Sequence, residues 1–119
     1  MQREALQKVI ISGLEELKAY NIKVLDLHSL STFTDLMVIA SGQSTRHVKA
    51  LASKVIEKSN LVGVRPLGVE GQREAEWILL DLNDIVVHVM LPQVRDFYNL
   101  EKLWKIYSNG VSQQTANYL

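Results

Sequence analysis

The 119-residue chain contains no cysteine. That absence removes disulfides, a thiolate nucleophile and any cysteine-based zinc site, and it is compatible with a reducing cytoplasm. Net charge is also missing: 13 Lys and Arg balance 13 Asp and Glu. A protein held on bare nucleic acid by bulk charge shows a basic excess, so the balance argues against that class. Long hydrophobic runs are absent as well. The fully apolar stretches are a few residues long, against the ~20 needed to span a bilayer. Arg3, Glu4, Glu15, Glu16 and Lys18 interrupt the N-terminal stretch, which leaves no apolar core for a signal peptide. No internal repeat and no low-complexity tract is present. What remains is an ordinary apolar share of 47% in a chain of single-domain length.

The apolar spacing predicts the elements. Leu6, Val9, Ile10, Gly13, Leu14 and Leu17 form one stripe of a first helix, with Asn21 as its stop. Ile22 to Leu27 reads as a strand, and Ser29 to Thr34 as a polar connection. Asp35 to Ala40 is nearly continuous in apolar residues, the pattern of a strand buried on both faces. Ser44 is the best N-cap for a second helix carrying Val48, Leu51, Ala52, Val55 and Ile56 on one stripe. Residues 60–63 stop that helix, and 64–67 predict a short edge strand containing Pro66. Glu76–Asp81 and Ile85–Met90 predict a hairpin pairing Asp81 with Asp84, Leu79 with Val86 and Trp77 with His88. Pro92 suits the first turn of a last helical region in which Leu100, Leu103 and Trp104 share a face. The expected fold is α/β: one domain over residues 1–107, with a polar tail over 108–119. Its mixed sheet of about five strands packs its helices mainly on one face. A strand–helix–strand passage supplies a parallel pair.

The hairpin has two unlike faces. Ile78, Leu80, Ile85, Val87 and Val89 form an apolar face for the helices, with Glu76 at its mouth. The other face holds Trp77, Leu79, Asp81, Asp84, Val86, His88 and Met90. Unpaired carboxylates are costly to bury, so this second face is expected to be partly wet. Apolar groups beside acids have the composition of a recognition surface. The plainer alternative is a tryptophan at the core edge and two aspartates flanking a turn. Charge is also separated along the chain. Residues 70–84 carry Glu70, Glu74, Glu76, Asp81 and Asp84 against Arg73, whereas the second helix carries Arg46, Lys49, Lys54 and Lys58 against Glu57. An acidic face rimmed by apolar groups suits a basic protein partner.

Catalytic motifs are largely wanting. There is no Gly-Ser pair followed by Asp-x-Asp, no phosphate loop, no dinucleotide fingerprint and no His-Glu-x-x-His. Gly68 and Gly71 do not open a helix after a strand. Ser44 and His47 are better explained by a helix cap than by a nucleophile and its base. The basic helix lacks interleaved aromatics for base stacking, which leaves at most a secondary contact with RNA. A two-metal nucleotidyltransferase-like enzyme and a dimerising interaction module stand as the alternatives to a regulatory binding protein.

Taken in order, several segments resemble one family. They are Ser31-Thr32-Phe33-Thr34-Asp35, Val38 to Gly42, Ser44 to Val48, Gly68-Val69-Glu70-Gly71, Glu76 to Asp81, Asp84 to Val89 and Phe97 to Trp104. Together they are similar to the ribosomal silencing factor family, also called Iojap-like, over roughly residues 5–106. The resemblance implies a nucleotidyltransferase-like sheet without the catalytic motif, no metal and no cofactor. It implies a cytoplasmic translational repressor and not an enzyme. That repressor binds the large ribosomal subunit through ribosomal protein number fourteen, sterically blocks joining of the small subunit, and lowers translation when nutrients are short. A homodimer when free is a further expectation, and the start at Met1 favours a bacterial protein over an organellar relative. Trp77, Leu79, Asp81, Asp84, Met90 and Tyr98 are the expected partner contacts; Glu70, His88 and Phe97 are either contacts or structural. The chain departs from the common pattern at Arg73-Glu74-Ala75, where many members place a glycine before the Glu-Trp pair.

Overall fold

The first apolar stripe forms helix α1, Gln2–Glu16, in the computed structural model, which describes residues 2–27 and 34–102. Strands β1 (Tyr20–Asp26) and β2 (Leu36–Ser41) follow, then helix α2 (Thr45–Leu61) and strands β3 (Gly68–Glu70), β4 (Trp77–Asp81) and β5 (Ile85–Met90). Helix α3, Pro92–Tyr98, closes the series. Residues 29–33 of the expected connection, Leu103, Trp104 and the tail from residue 108 lie outside the described residues.

Local chemistry sets the helix ends. Lys18, at φ 63°, ends α1: its N–H donates to the Glu15 carbonyl and the Ala19 N–H to the Leu14 carbonyl. This is the left-handed closure usually given to glycine. The stop therefore falls before Asn21, whose own φ of 51° sits at an irregularity in the β1–β2 register. At α2 the expectation holds at both ends. Ser44 Oγ accepts the His47 N–H at 3.1 Å, and Gly63, at φ 78°, closes the other end with the same pair of backbone bonds.

The strands form one sheet in the order β1-β2-β5-β4-β3. Only β2 and β5 pair in parallel; the other neighbours are antiparallel. The parallel pair thus joins β2 to β5 and not to the strand directly after α2. Strand β3 runs in the same sense as β2 but lies at the far edge. It also begins later than expected. Pro66 has no N–H to give, so pairing opens with the Leu67 N–H on the Asp81 carbonyl.

The hairpin register differs from the expected one by two residues. Trp77 pairs with Met90, Leu79 with His88 and Asp81 with Val86. The turn is the reason. Asn83 takes φ 73°, the Leu82 N–H donates to the Ile85 carbonyl, and Asp81 Oδ1 accepts the Asn83 N–H at 2.9 Å. The aspartate side chain thereby shapes its own turn. An even slip leaves every side chain on the face assigned from parity.

Helices α1 and α2 cover one face of the sheet. Leu6, Ile10 and Leu14 of α1 and Val48, Leu51 and Val55 of α2 share a core with Ile78, Leu80, Ile85, Val87 and Val89. A smaller cluster of Leu25, Ile39 and Met90 lies on the opposite face, packed against Val94 of α3 and Leu100. The second face is therefore half covered, by the segment that folds back after Pro92.

Candidate functional site

Register places the open face residue by residue. One cross-sheet row runs Leu25, Met37, Val86, Asp81; the next runs Lys23, Ile39, His88, Leu79, Glu70; a third contains Ser41, Met90 and Trp77. Helix α3 covers the Ile39 and Met90 part. Leu79, Val86 and Asp81 remain half-buried beyond it.

The covered part is held by an ion pair. Arg95, buried in α3, donates from Nη1 to Ser41 Oγ at 2.9 Å and from Nε to Glu101 Oε1 at 2.8 Å. Asn99, at φ 49°, ends α3, and its Oδ1 accepts the Lys102 N–H. That break brings Glu101 back to Arg95. No sequence signal marks this pair, because a spacing of six does not align two side chains on one continuous helix.

At the border an aromatic group forms. Trp77 and Tyr98 have ring centroids 4.8 Å apart, and Phe97 meets Tyr98 edge-on at 5.0 Å. Phe97 is 81% exposed and Tyr98 51%, although core burial was the structural alternative for Phe97. Trp77 Nε1 donates to His88 Nδ1 at 2.9 Å. Trp77 and His88 are thus diagonal neighbours across the hairpin, within reach for such long side chains. His88 bonds neither Glu70 nor a backbone group among the described residues. Burial leaves it 7% exposed and pushes its imidazole down to about 4, so the ring is neutral at pH 7.

Met90, expected as an apolar anchor, is fully buried against Leu25 and Ile39. It supports the face from beneath and is no contact on it. Trp77 and Leu79 are half-buried and accessible; Asp81 and Asp84 stand at the turn end, half-buried; Glu70 is exposed on the β3 edge. The loop before β4 is held close to it. Gly71, at φ 87°, would drive a Cβ into the Trp77 carbonyl oxygen. Ala75 takes a left-handed φ of 57°, with its methyl fully buried.

The two charged regions differ in pairing. Lys58 reaches Glu16 at 3.0 Å; Lys54 reaches Glu57 at 3.2 Å and Glu16 at 3.7 Å. The Lys58 hydrogen bond and charge, followed by those of Lys54, lower the Glu16 carboxyl below its ordinary value. Half of the basic helix is thus committed to the α1–α2 seam, which leaves Arg46 and Lys49 exposed. No acid of residues 70–84 forms an ion pair with a described residue.

Both nitrogens of His47 are engaged: Nδ1 accepts the Gln43 N–H at 2.9 Å, and Nε2 lies 2.7 Å from the Leu17 carbonyl, to which it donates. It staples α2 to the end of α1, and Ser44 is spent as a cap. Asp35 pairs with Arg3 at 3.1 Å. Among the described residues no three His, Asp or Glu side chains converge as a metal site, and no helix is long and apolar enough to cross a membrane.

A mixed five-stranded sheet with one helix-covered face and one aromatic, acid-rimmed face defines a single α/β domain. Comparison with known proteins agrees. The family model described as "Ribosomal silencing factor during starvation" matches residues 1–117. Ribosomal silencing factor RsfS of Chromobacterium violaceum is 44% identical over 104 residues, covering 87% of this chain and 85% of that protein. A crystal structure of a Chromobacterium violaceum protein superposes with a TM-score of 0.85 at 42% identity, covering 95% of this chain and 90% of that one. The Mus musculus protein named "Mitochondrial assembly of ribosomal large subunit protein 1" is 33% identical, with 84% of this chain matching 45% of it. The chain belongs to the ribosomal silencing factor family.

Proposed function

We propose that this protein silences translation by docking its open sheet face on the large ribosomal subunit, through ribosomal protein number fourteen. Bound there, the domain occupies space the small subunit needs. Joining is blocked sterically, and translation falls when nutrients are limiting. The observation that carries this reading is the face itself: Trp77, Leu79, Phe97 and Tyr98 accessible beside Asp81, Asp84 and Glu70, acids with no described ion-pair partner. Aromatic anchors bounded by carboxylates outside any ion pair suit a basic protein surface and favour fast, steered association. Family membership supports the ribosomal target. No cofactor and no catalytic residue is needed, since occupancy alone produces the effect.

The test is co-sedimentation with purified large subunits. Leu79→Ser with Asp84→Lys alters the face and leaves the core, the Asp81 turn bond and the Trp77–His88 bond in place. The double variant is expected to keep its thermal unfolding profile and lose at least tenfold in affinity. Wild-type binding by this variant would place the contact elsewhere. A second reading, pairing of two free copies through the same face, rests on the exposure of Phe97. Sedimentation of wild-type protein and Phe97→Ser checks it: the wild type is expected to dimerise and the variant to stay monomeric.

A further inference from the structure

We propose that His88 presents a fixed Nε2–H donor on the open face, which takes a main-chain carbonyl oxygen of the docked protein. The inference rests on the docking reading above and deepens it. The indole nitrogen of Trp77 can only donate. Its N–H points at His88 Nδ1 across 2.9 Å. Nδ1 must therefore be the bare, accepting nitrogen, and the proton of the neutral ring sits on Nε2. The tautomer is set by the fold before any partner arrives.

Nε2 meets no described partner, and His88 has no further polar interaction. Yet no buried side-chain nitrogen or oxygen of the described residues lacks a partner. Nε2 therefore keeps some exposure in an otherwise buried ring. The ring stands in the row of Ile39, Leu79 and Glu70, at the border between the part under α3 and the open part of the face. Docking over Leu79 would dehydrate it, and a dehydrated donor without an acceptor weakens a complex.

The surroundings select the acceptor. Glu70, Asp81 and Asp84 disfavour an approaching carboxylate, and the lysines and arginines of a basic partner only donate. Neutral oxygens are left, and the main-chain carbonyl is the one that every residue of a partner carries. Trp77, with its N–H already spent, offers the partner only ring surface. The donor therefore fixes the register of the docked chain, and the aromatic group supplies contact area.

Two substitutions separate this role from a structural one. In His88→Asn the amide oxygen can still accept from Trp77, but nothing reaches the Nε2 position. In His88→Gln the amide reaches that position and restores an N–H. Affinity for purified large subunits is measured beside the Leu79→Ser/Asp84→Lys variant. The expected result is a loss of about tenfold for His88→Asn and recovery of most of it in His88→Gln. Wild-type binding by His88→Asn, with the face variant still defective, overturns the donor and leaves the face standing. Wild-type binding by both overturns donor and face together. Equal losses in the Asn and Gln variants reduce His88 to support and overturn the proposal. Should the variants fail to fold, two-bond 1H–15N correlation on the wild-type protein decides it. The Nε2-protonated tautomer is expected at pH 7, and the Nδ1-protonated one overturns the proposal.

Discussion

The same two strands build two surfaces of unlike burial. On one side of β4 and β5, Ile78, Leu80, Ile85, Val87 and Val89 are sealed beneath α1 and α2. On the other, Trp77, Leu79, Asp81 and Val86 stay half-buried, with α3 covering only the part nearest Met90. Alternation along a strand separates these sets by a single residue. On the docking reading, stability and binding fall to alternate positions along each strand of the hairpin, and substitutions one residue apart should fall into different classes.

Leu80→Ala should cut deepest. It empties a fully buried position and should cost about 3 kcal/mol in urea unfolding, while folded protein keeps its affinity for large subunits. Equal loss of stability and affinity would break the division between faces.

Acid should act through the opposite side. His88 is held neutral in the folded protein down to about pH 4, whereas an unfolded histidine takes its proton near 6.5. The unfolded chain then binds more protons between those values, so stability falls as pH drops from about 6.5 towards 4. Between pH 7.5 and 4.5 this group should remove roughly 2–3 kcal/mol. Lys23 and Glu70 share its row and Arg95 lies in the covering helix, so the comparison is with His88→Asn, whose unfolding curves should lose that part of the pH dependence.

Glu101→Ala leaves the buried Arg95 with Ser41 alone. Because Glu101 is partly exposed, the cost should be about 2 kcal/mol, less than for a fully buried pair. Hydrogen exchange should rise in α3 and not in α2, which would sharpen the contrast between the loosely and tightly covered faces. The smallest effect should come from Ala75→Gly. Relief of the positive φ is offset by the lost methyl contact and by a more flexible unfolded chain, so unfolding should change by less than about 1 kcal/mol.

Much of this division was legible in the sequence because it rests on parity. The unbroken apolar run of β2 announced a strand buried on both faces, and it lies inside the sheet between β1 and β5. Ser44 and Gly63 marked helix ends through chemistry local to them. The hairpin faces survived a register slip of two because the slip was even. What depended on chain reversal was not legible. Met90 is buried because α3 folds back over it, and Arg95 finds Glu101 because Asn99 breaks the helix between them. The expected pairing did bring Trp77 and His88 together, but as directly opposed residues; the bond joins diagonal neighbours.

A subunit-joining assay reaches the central claim most directly. Purified small and large subunits are mixed with the wild-type protein, with Leu80→Ala, or with Leu79→Ser/Asp84→Lys, below the temperature at which any of them unfolds. The open-face account predicts that wild type and Leu80→Ala both suppress joining and that the double variant does not. Suppression by the double variant at wild-type strength would contradict it.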